Sequence, residues 1–535
     1  MSLSTGTTLR TQGFVAVDAA WTGVMRQRGF WLALSIIVLI ATVVRLISAA
    51  SLPLWWDEAH TLRWATMPVG EMLAETRGTD FNPPLYYLAI AGWVRVFGDS
   101  EYALRGVSLL AGAGAVVMIA LLGRRLYDAR TGLIAAALLA VSWFHTGYSI
   151  EARAYAPYML AATASMYLLA GLLDRFRWST TIAYAAVSAT VVYLHFHGVF
   201  IVVAQNAFVV ILLLAGRRGG GGASGGLTWT RWIVAQAILG ALVFPVALLA
   251  LSRAGQSGDA HRWLGVPSLG TLIETCAQLA GTRRLLAAFS VLGLVAIALV
   301  PRRDVESGDD EQKPHAPWRW RAAGGLLATW AVLAHLLPFA LSRWVTPLYH
   351  PRYVIGSLPA ILLLAAAGLG VLTRLPRPWA LLGIGATAVL VAMGTTPLAD
   401  GRARWRGDPH WPDVVRAIEA RALPGDRVYF FSHAPGAGQD LFRYYSTRTD
   451  IDVRALPTAM LRVTDAMAQD LARPLVGERR FWLIRSHHFD RRDNHFYNRV
   501  SGQFQTLSAW NYGHDGAPPD QKRHDVTLFT RPEGE

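Results

Sequence analysis

The chain has 535 residues, 53% hydrophobic and only 16% charged; ordinary soluble domains carry about a quarter charged residues, so this composition excludes one and points to a polytopic membrane protein with a soluble appendage. Net charge is +14, but the basic residues fall between apolar runs and no nucleic-acid-binding signature accompanies them, which argues for bilayer topology and against nucleic acid as a partner. A single cysteine, Cys276, excludes an internal disulfide and a thiolate metal cage.

Met1 to Gly29 is polar, with Arg10, Arg26 and Arg28 near the membrane, which favours a cytoplasmic N-terminal tail. The apolar run from Phe30 to Ala50 is about 20 residues, ~30 Å as a helix, and longer than a signal-peptide core, so it reads as an uncleaved first span. The loop 51–102 should hold two amphipathic pieces too short to cross, near Glu58–Glu75 and Pro84–Phe97, lying along the outer interface.

Span two is expected at 103–123, span three at 131–148, span four at 154–173, span five at 180–194 and span six up to Ala215. A Gly/Ser-rich linker follows Arg217-Arg218. Span seven is expected at 232–251, eight at 285–300, nine at 322–341, ten after Tyr353 and eleven at 379–399. Eleven crossings put the C-terminus outside, and each inner loop carries an arginine pair: Arg124/Arg125, Arg175/Arg177, Arg217/Arg218, Arg302/Arg303 and Arg374/Arg377.

From Asp400 the composition is that of a soluble domain. Helical spacing over Asp413–Ala422, a turn at Leu423-Pro424-Gly425-Asp426, and strands at Arg427–Phe431, Phe481–Ile484 and Val526–Phe529 predict a small α/β extracytoplasmic domain. The expected fold is therefore mainly α: a membrane helix bundle over 30–399, with a tail over 1–29 and an α/β domain over 400–535.

The stretch Leu54-Trp55-Trp56-Asp57-Glu58-Ala59-His60 sits where the first span leaves the bilayer. A carboxylate at the hydrocarbon centre would cost roughly 2.5–3.5 kcal/mol, a cost that mostly vanishes at the interface. Asp57 is the candidate general base; the competing reading is a solvated interfacial charge. Glu58 is either its orienting neighbour or a helix-start acid. Asp80 is a candidate second carboxylate or an ordinary turn residue before Asn82-Pro83. Glu151 and Arg153 concentrate charge on a short turn between spans, either as a local ion pair or as cavity residues. Arg352, with Tyr353, breaks the positive-inside pattern and reads as a phosphate ligand in preference to a snorkelling arginine. His195 and His197 lack further ligands and read as interfacial hydrogen-bonding groups rather than a zinc site.

Three ordered motifs, Trp56-Asp57-Glu58-Ala59, Asp80-Phe81-Asn82-Pro83-Pro84-Leu85-Tyr86-Tyr87 and Phe97-Gly98-Asp99-Ser100-Glu101-Tyr102-Ala103-Leu104-Arg105, resemble the dolichyl-phosphate-mannose–protein mannosyltransferase superfamily, which includes the bacterial lipid A aminoarabinose transferases. The resemblance continues at Glu151-Ala152-Arg153-Ala154-Tyr155 and Arg352-Tyr353. It implies the C-type glycosyltransferase fold and transfer of a sugar from a polyprenyl-phosphate donor to a protein, glycan or lipid hydroxyl, on the outer face of a bacterial inner membrane. Relatives often carry a basic residue before the Pro-Pro pair, where this chain has Asn82.

On this reading Asp57 is the base, with Glu58 beside it. Arg352, Tyr353 and Arg153 bind the donor phosphate, and Asp80, Asn82, Glu151 and His60 line the acceptor cavity. The reaction is a single inverting displacement. No cofactor is implied with certainty; a divalent cation held by Asp57 or Asp80 stays open, although the family mostly does without one. The rival readings are aminoarabinose-type transfer to a lipid acceptor, a lipid-linked-sugar flippase or transporter, and a silent scaffold that binds acceptor proteins.

Overall fold

The computed structural model describes residues 6–50, 52–79, 82–218, 226–254, 264–298, 317–373, 379–399, 410–432, 435–456, 465–486, 494–512 and 524–532. The chain divides into two compact units. One comprises 1–48, 70–89 and 105–403; the other comprises 49–69, 90–104 and 404–535.

The first unit is a helical bundle. Among the described residues, seven helices are long and apolar enough to cross a membrane, or nine if each of two bent pairs is one span. This is a multi-pass membrane protein. The seven lie within α1 (Gly6–Ala49), α5 (Glu101–Leu126), α8 (Tyr155–Asp174), α10 (Gly198–Arg218), α11 (Trp229–Ala254) and α14 (Pro317–Trp344), and in the segment Pro351–Leu372. That last segment joins a 3-10 turn, Pro351–Ser357, to α15 (Leu358–Leu372). The expected spans five and eleven fall on α9 (Trp178–Leu194) and α16 (Trp379–Ala399), whose apolar stretches are shorter than a full crossing.

Expected span three is a bent pair. α6 (Ala129–Ala140) and α7 (Trp143–Ser149) meet at 68°. Asp128 caps α6 by accepting the Thr131 N–H, and Ser142 starts α7 by accepting the His145 N–H. Expected span eight is the second limb of another bent pair, α12 (Leu269–Ala280) and α13 (Arg283–Ala298), at 83°. The loop expected between spans seven and eight contains α12, which Ser268 caps through the Thr271 N–H. Gly281 turns the chain between these limbs at φ +110°. The two breaks meet, because the Trp143 indole N–H donates to the Gly281 carbonyl at 3.0 Å. Non-helical backbone at membrane depth must find such a donor within the protein.

Glycines set the closest helix contacts. A Cβ on Gly368 of α15 would lie 2.2 Å from the Leu292 carbonyl oxygen of α13. Polar side chains also link the spans. Tyr184 donates to Gln205, Gln205 to Ser165, and Trp232 to Asn206. Arg45 of α1 is buried, with its guanidinium 2.6 Å from His145 Nδ1 and 2.8 Å from the Ala41 carbonyl.

In the segment after span one, the expected single amphipathic piece is two helices, α2 (Trp56–Thr66) and α3 (Val69–Thr79). Pro68 causes the break: it pushes Met67 into the extended region, and α2 ends there. The second expected piece is α4 (Leu85–Phe97).

The second unit is built on a five-stranded sheet ordered β2-β1-β3-β5-β4. The strands are β1 (Arg427–Phe431), β2 (Asp452–Ala455), β3 (Arg480–Ser486), β4 (Gln505–Tyr512) and β5 (His524–Thr530). β1 runs parallel to β2 and β3, pairing Val428 with Val453 and with Trp482, while β5 runs antiparallel to β3 and β4. Three strands, β1, β3 and β5, cover the stretches expected as strands; β2 and β4 are additional. Alternation along β1 sends Tyr429 and Phe431 to one apolar layer with Leu471 of α19 (Asp465–Ala472) and Phe496 of α20 (Asn494–Gln503). Phe430 packs instead with Trp411 of α17 (Trp411–Glu419) and Phe442 of α18 (Pro435–Tyr445). Helices on both faces explain why the parallel strands read as unbroken apolar runs.

Helix α2 belongs to this unit and is tied into it. Trp56 stacks on Trp411 with ring centroids 5.9 Å apart, and a Cβ on Gly438 would touch Trp56 at 3.0 Å. The Leu54 N–H donates to the Tyr445 hydroxyl, which donates in turn to the Glu101 carboxylate. Burial and that carboxylate push the Tyr445 hydroxyl well up, so it stays a donor.

Candidate functional site

In the membrane unit, the site begins at the turn between α7 and α8. The Arg153 N–H bonds to the Glu151 carbonyl at 2.8 Å, and both side chains are buried. The Arg153 carbonyl is held by the Ser108 hydroxyl, and Ser108 pairs with the Tyr86 hydroxyl at 2.9 Å. The Arg153 guanidinium lies 5.8 Å from the Tyr87 ring, an attraction of the cation–π kind. Two stretches far apart in sequence, Pro83–Tyr87 and Glu151–Tyr155, thus hold each other. Asn82 is reached through its backbone: Arg253 donates to the Asn82 carbonyl at 3.3 Å and to the Thr76 carbonyl at 2.7 Å.

The second half of the site is the 3-10 turn. His350 caps it by accepting the Arg352 N–H at 3.3 Å, and Pro351 at its start needs no donor of its own. The Arg352 guanidinium sits 5.8 Å from the Tyr155 ring and 5.3 Å from the Tyr353 ring. Arg352, Arg153 and Glu151 all act electrostatically on Tyr155. Four of the expected site residues, Glu151, Arg153, Arg352 and Tyr353, therefore gather around one buried tyrosine.

Around them stands an aromatic box. His195 stacks on Tyr158 at 5.3 Å, with Tyr353 at 5.0 Å, His197 at 5.0 Å and Tyr155 at 5.9 Å. His197 Nε2 contacts the Leu348 carbonyl at 3.0 Å. The turn comes so close to α8 that a Cβ on Gly356 would lie 2.6 Å from the Tyr158 hydroxyl. Among the described residues, no group of three or more His, Cys, Asp or Glu side chains is placed to hold a metal ion.

Asp57, Glu58 and His60 lie on α2 in the other unit. Glu58 is buried, and its carboxylate accepts the Trp55 N–H at the helix start. Asp57 is half-buried and its carbonyl accepts the Thr61 hydroxyl, while His60 stacks on Trp64. Arg63, a turn further along, lies 3.8 Å from Asp440. Asp80 lies outside the described residues. Sequence reasoning missed Arg253 and His350 as organisers. Tyr155 was in view as the last residue of its motif, but nothing local marked it as the centre.

A bundle of straight and bent helices with a small α/β unit is the architecture of the C-type membrane glycosyltransferase fold. The chain has that fold. Over 93% of its length it is similar to ArnT from Cupriavidus metallidurans bound to undecaprenyl phosphate, at 12% identity and TM-score 0.58, covering 98% of that chain. Over 95% of its length it is similar to the oligosaccharyltransferase AglB from Archaeoglobus fulgidus in complex with an inhibitory peptide and a dolichol-phosphate, at 12% identity and TM-score 0.53, covering 77% of that chain. Residues 82–219 match the family model of dolichyl-phosphate-mannose-protein mannosyltransferase, so the resemblance drawn from the motifs is borne out. No curated protein matches the chain in sequence.

Proposed function

We propose that this chain is an integral-membrane glycosyltransferase that moves a sugar from a polyprenyl-phosphate donor to a hydroxyl acceptor. The observation that carries the reading is the convergence of Arg153 and Arg352 on Tyr155, in a fold shared with a protein solved with undecaprenyl phosphate bound. The family match over 82–219 supports the same chemistry.

On this reading the acceptor hydroxyl attacks the anomeric carbon as the C1–O bond to phosphate breaks. The acceptor proton passes to Asp57 as general base, and the bonding pair leaves on the phosphate. Arg153 and Arg352, with Tyr353, offset the charge that develops there; guanidinium forks suit phosphate oxygens. One displacement inverts the anomeric centre. Glu151, Asn82, Asp80 and His60 are assigned to the acceptor side. The active face is the outer one of a bacterial cytoplasmic membrane.

The test is Asp57→Asn in purified full-length protein, with transfer and binding of polyprenyl phosphate measured separately. Transfer should fall by about 10²–10⁴-fold while lipid binding is unchanged. Wild-type turnover in this variant would remove Asp57 from the base role. Mass spectrometry of glycans and lipids from a deletion strain then identifies the sugar and the acceptor.

A further inference from the structure

Two polar groups inside the aromatic box have no hydrogen-bond partner among the described residues. Tyr155, 1% exposed, has an unbonded hydroxyl, and His195, 3% exposed, has an unbonded Nε2. The histidine's tautomer is fixed by its neighbour. The His197 backbone N–H donates to His195 Nδ1 at 3.1 Å, so Nδ1 is an acceptor and the ring proton sits on Nε2. Both orphaned groups are therefore donors. The Tyr158 ring, stacked on His195 at 30° between planes, holds the imidazole in place. Buried donors left unmade are rare in native proteins and point to a missing acceptor.

The surroundings say what kind of acceptor. Arg153 and Arg352 act electrostatically on both Tyr155 and His195. Two guanidiniums and two neutral donors converge from four segments: the α7–α8 turn, the start of α8, the α9–α10 break and the 3-10 turn. We infer that the Tyr155 hydroxyl and the His195 Nε2–H are phosphate ligands, completing with Arg153 and Arg352 a four-donor cradle for a phosphate ester. The inference rests on the proposed function, which names this site but assigns these two residues no contact with the phosphate.

The cradle has a consequence for the chemistry. The donor is a phosphodiester with one negative charge. When its C1–O bond breaks, the pair stays on the phosphate, and the leaving group is a monoester with additional charge on oxygen. Four fixed donors bind that product form more strongly than the substrate form, which is where stabilisation accelerates the step.

The test uses the full-length chain in detergent and three variants, Tyr155→Phe, His195→Ala and His195→Gln, with undecaprenyl phosphate as the probe. Tyr155→Phe and His195→Ala should each weaken its affinity by about tenfold, as expected for losing one hydrogen bond to a charged group. Apparent melting temperatures should be unchanged. His195→Gln should bind like wild type, because its amide accepts from the His197 N–H and still donates. Inorganic phosphate that competes marks a cradle reading the headgroup alone; failure to compete, with the variants still weakened, marks a lipid-borne phosphate. Either supports the inference. Wild-type affinity in Tyr155→Phe and His195→Ala overturns it and leaves the proposed function standing. A His195→Gln as weak as His195→Ala removes His195 as a donor. A wild-type chain that binds no polyprenyl phosphate overturns both readings.

Discussion

Asp57 and Glu58 are adjacent carboxylates with different surroundings. Glu58 is buried and reaches back to the Trp55 N–H, while Asp57 stays half-buried on the next position of α2. The macrodipole argument allowed Glu58 a helix-start role, and the observed bond is of that kind. Glu58→Gln preserves the acceptor at the third helical position and should keep both stability and transfer. Glu58→Ala removes it and should lower the apparent melting temperature by about 2 °C, read by thermal unfolding in detergent. Loss of transfer in a fully stable Glu58→Gln would return Glu58 to the chemistry. At this scale the sequence marks the charged candidates for the site, because a charge beside an apolar span is conspicuous. It does not mark Tyr155 and His195, because their proposed role depends on segments some 40 and 200 residues apart in the chain.

Elements were legible where periodicity is strong and less so where the backbone bends. A run of apolar residues predicts a span, but it does not report that Ser142 or Gly281 breaks one into two limbs. The helix α12, at 12 residues, is too short to read as a span by itself, although its Ser268 cap is readable. In the α/β unit, β1 and the centres of β3 and β5 followed from their apolar runs. The four-residue β2 and the edge strand β4, with its mostly exposed side chains, carry too little pattern to stand out. Close helix packing supplies a test. Gly368→Ala puts a methyl 2.2 Å from the Leu292 carbonyl, so α13 and α15 must separate, at about 1–3 kcal/mol for overpacking. The apparent melting temperature should fall by several degrees. Gly385→Ala, where nothing lies within 4 Å, is the matched control and should be tolerated.

Across the whole molecule, the distribution of arginines carried the sequence reading, since one lost span would invert every later loop. The fold agrees with that reading in class, while the number of full crossings differs because two spans are bent and two are short. Orientation can be measured directly in a chain with one cysteine. In a Cys276→Ala background, Val476→Cys places a thiol on an exposed position of the α/β domain, and Arg175→Cys places one between α8 and α9. In intact cells a membrane-impermeant maleimide should label position 476 and spare position 175 until the cells are lysed. The reverse pattern would put the α/β domain on the cytoplasmic side and end the proposed topology.

The bond from the Trp143 indole to the Gly281 carbonyl joins two bends that arise more than a hundred residues apart. Neither deformation is self-sufficient, since each leaves backbone groups that hydrocarbon cannot solvate. A chimera that transplants residues 269–298 into another scaffold of this architecture must also bring an N–H donor to the place of Trp143, because the Gly281 carbonyl travels with the backbone and its donor does not.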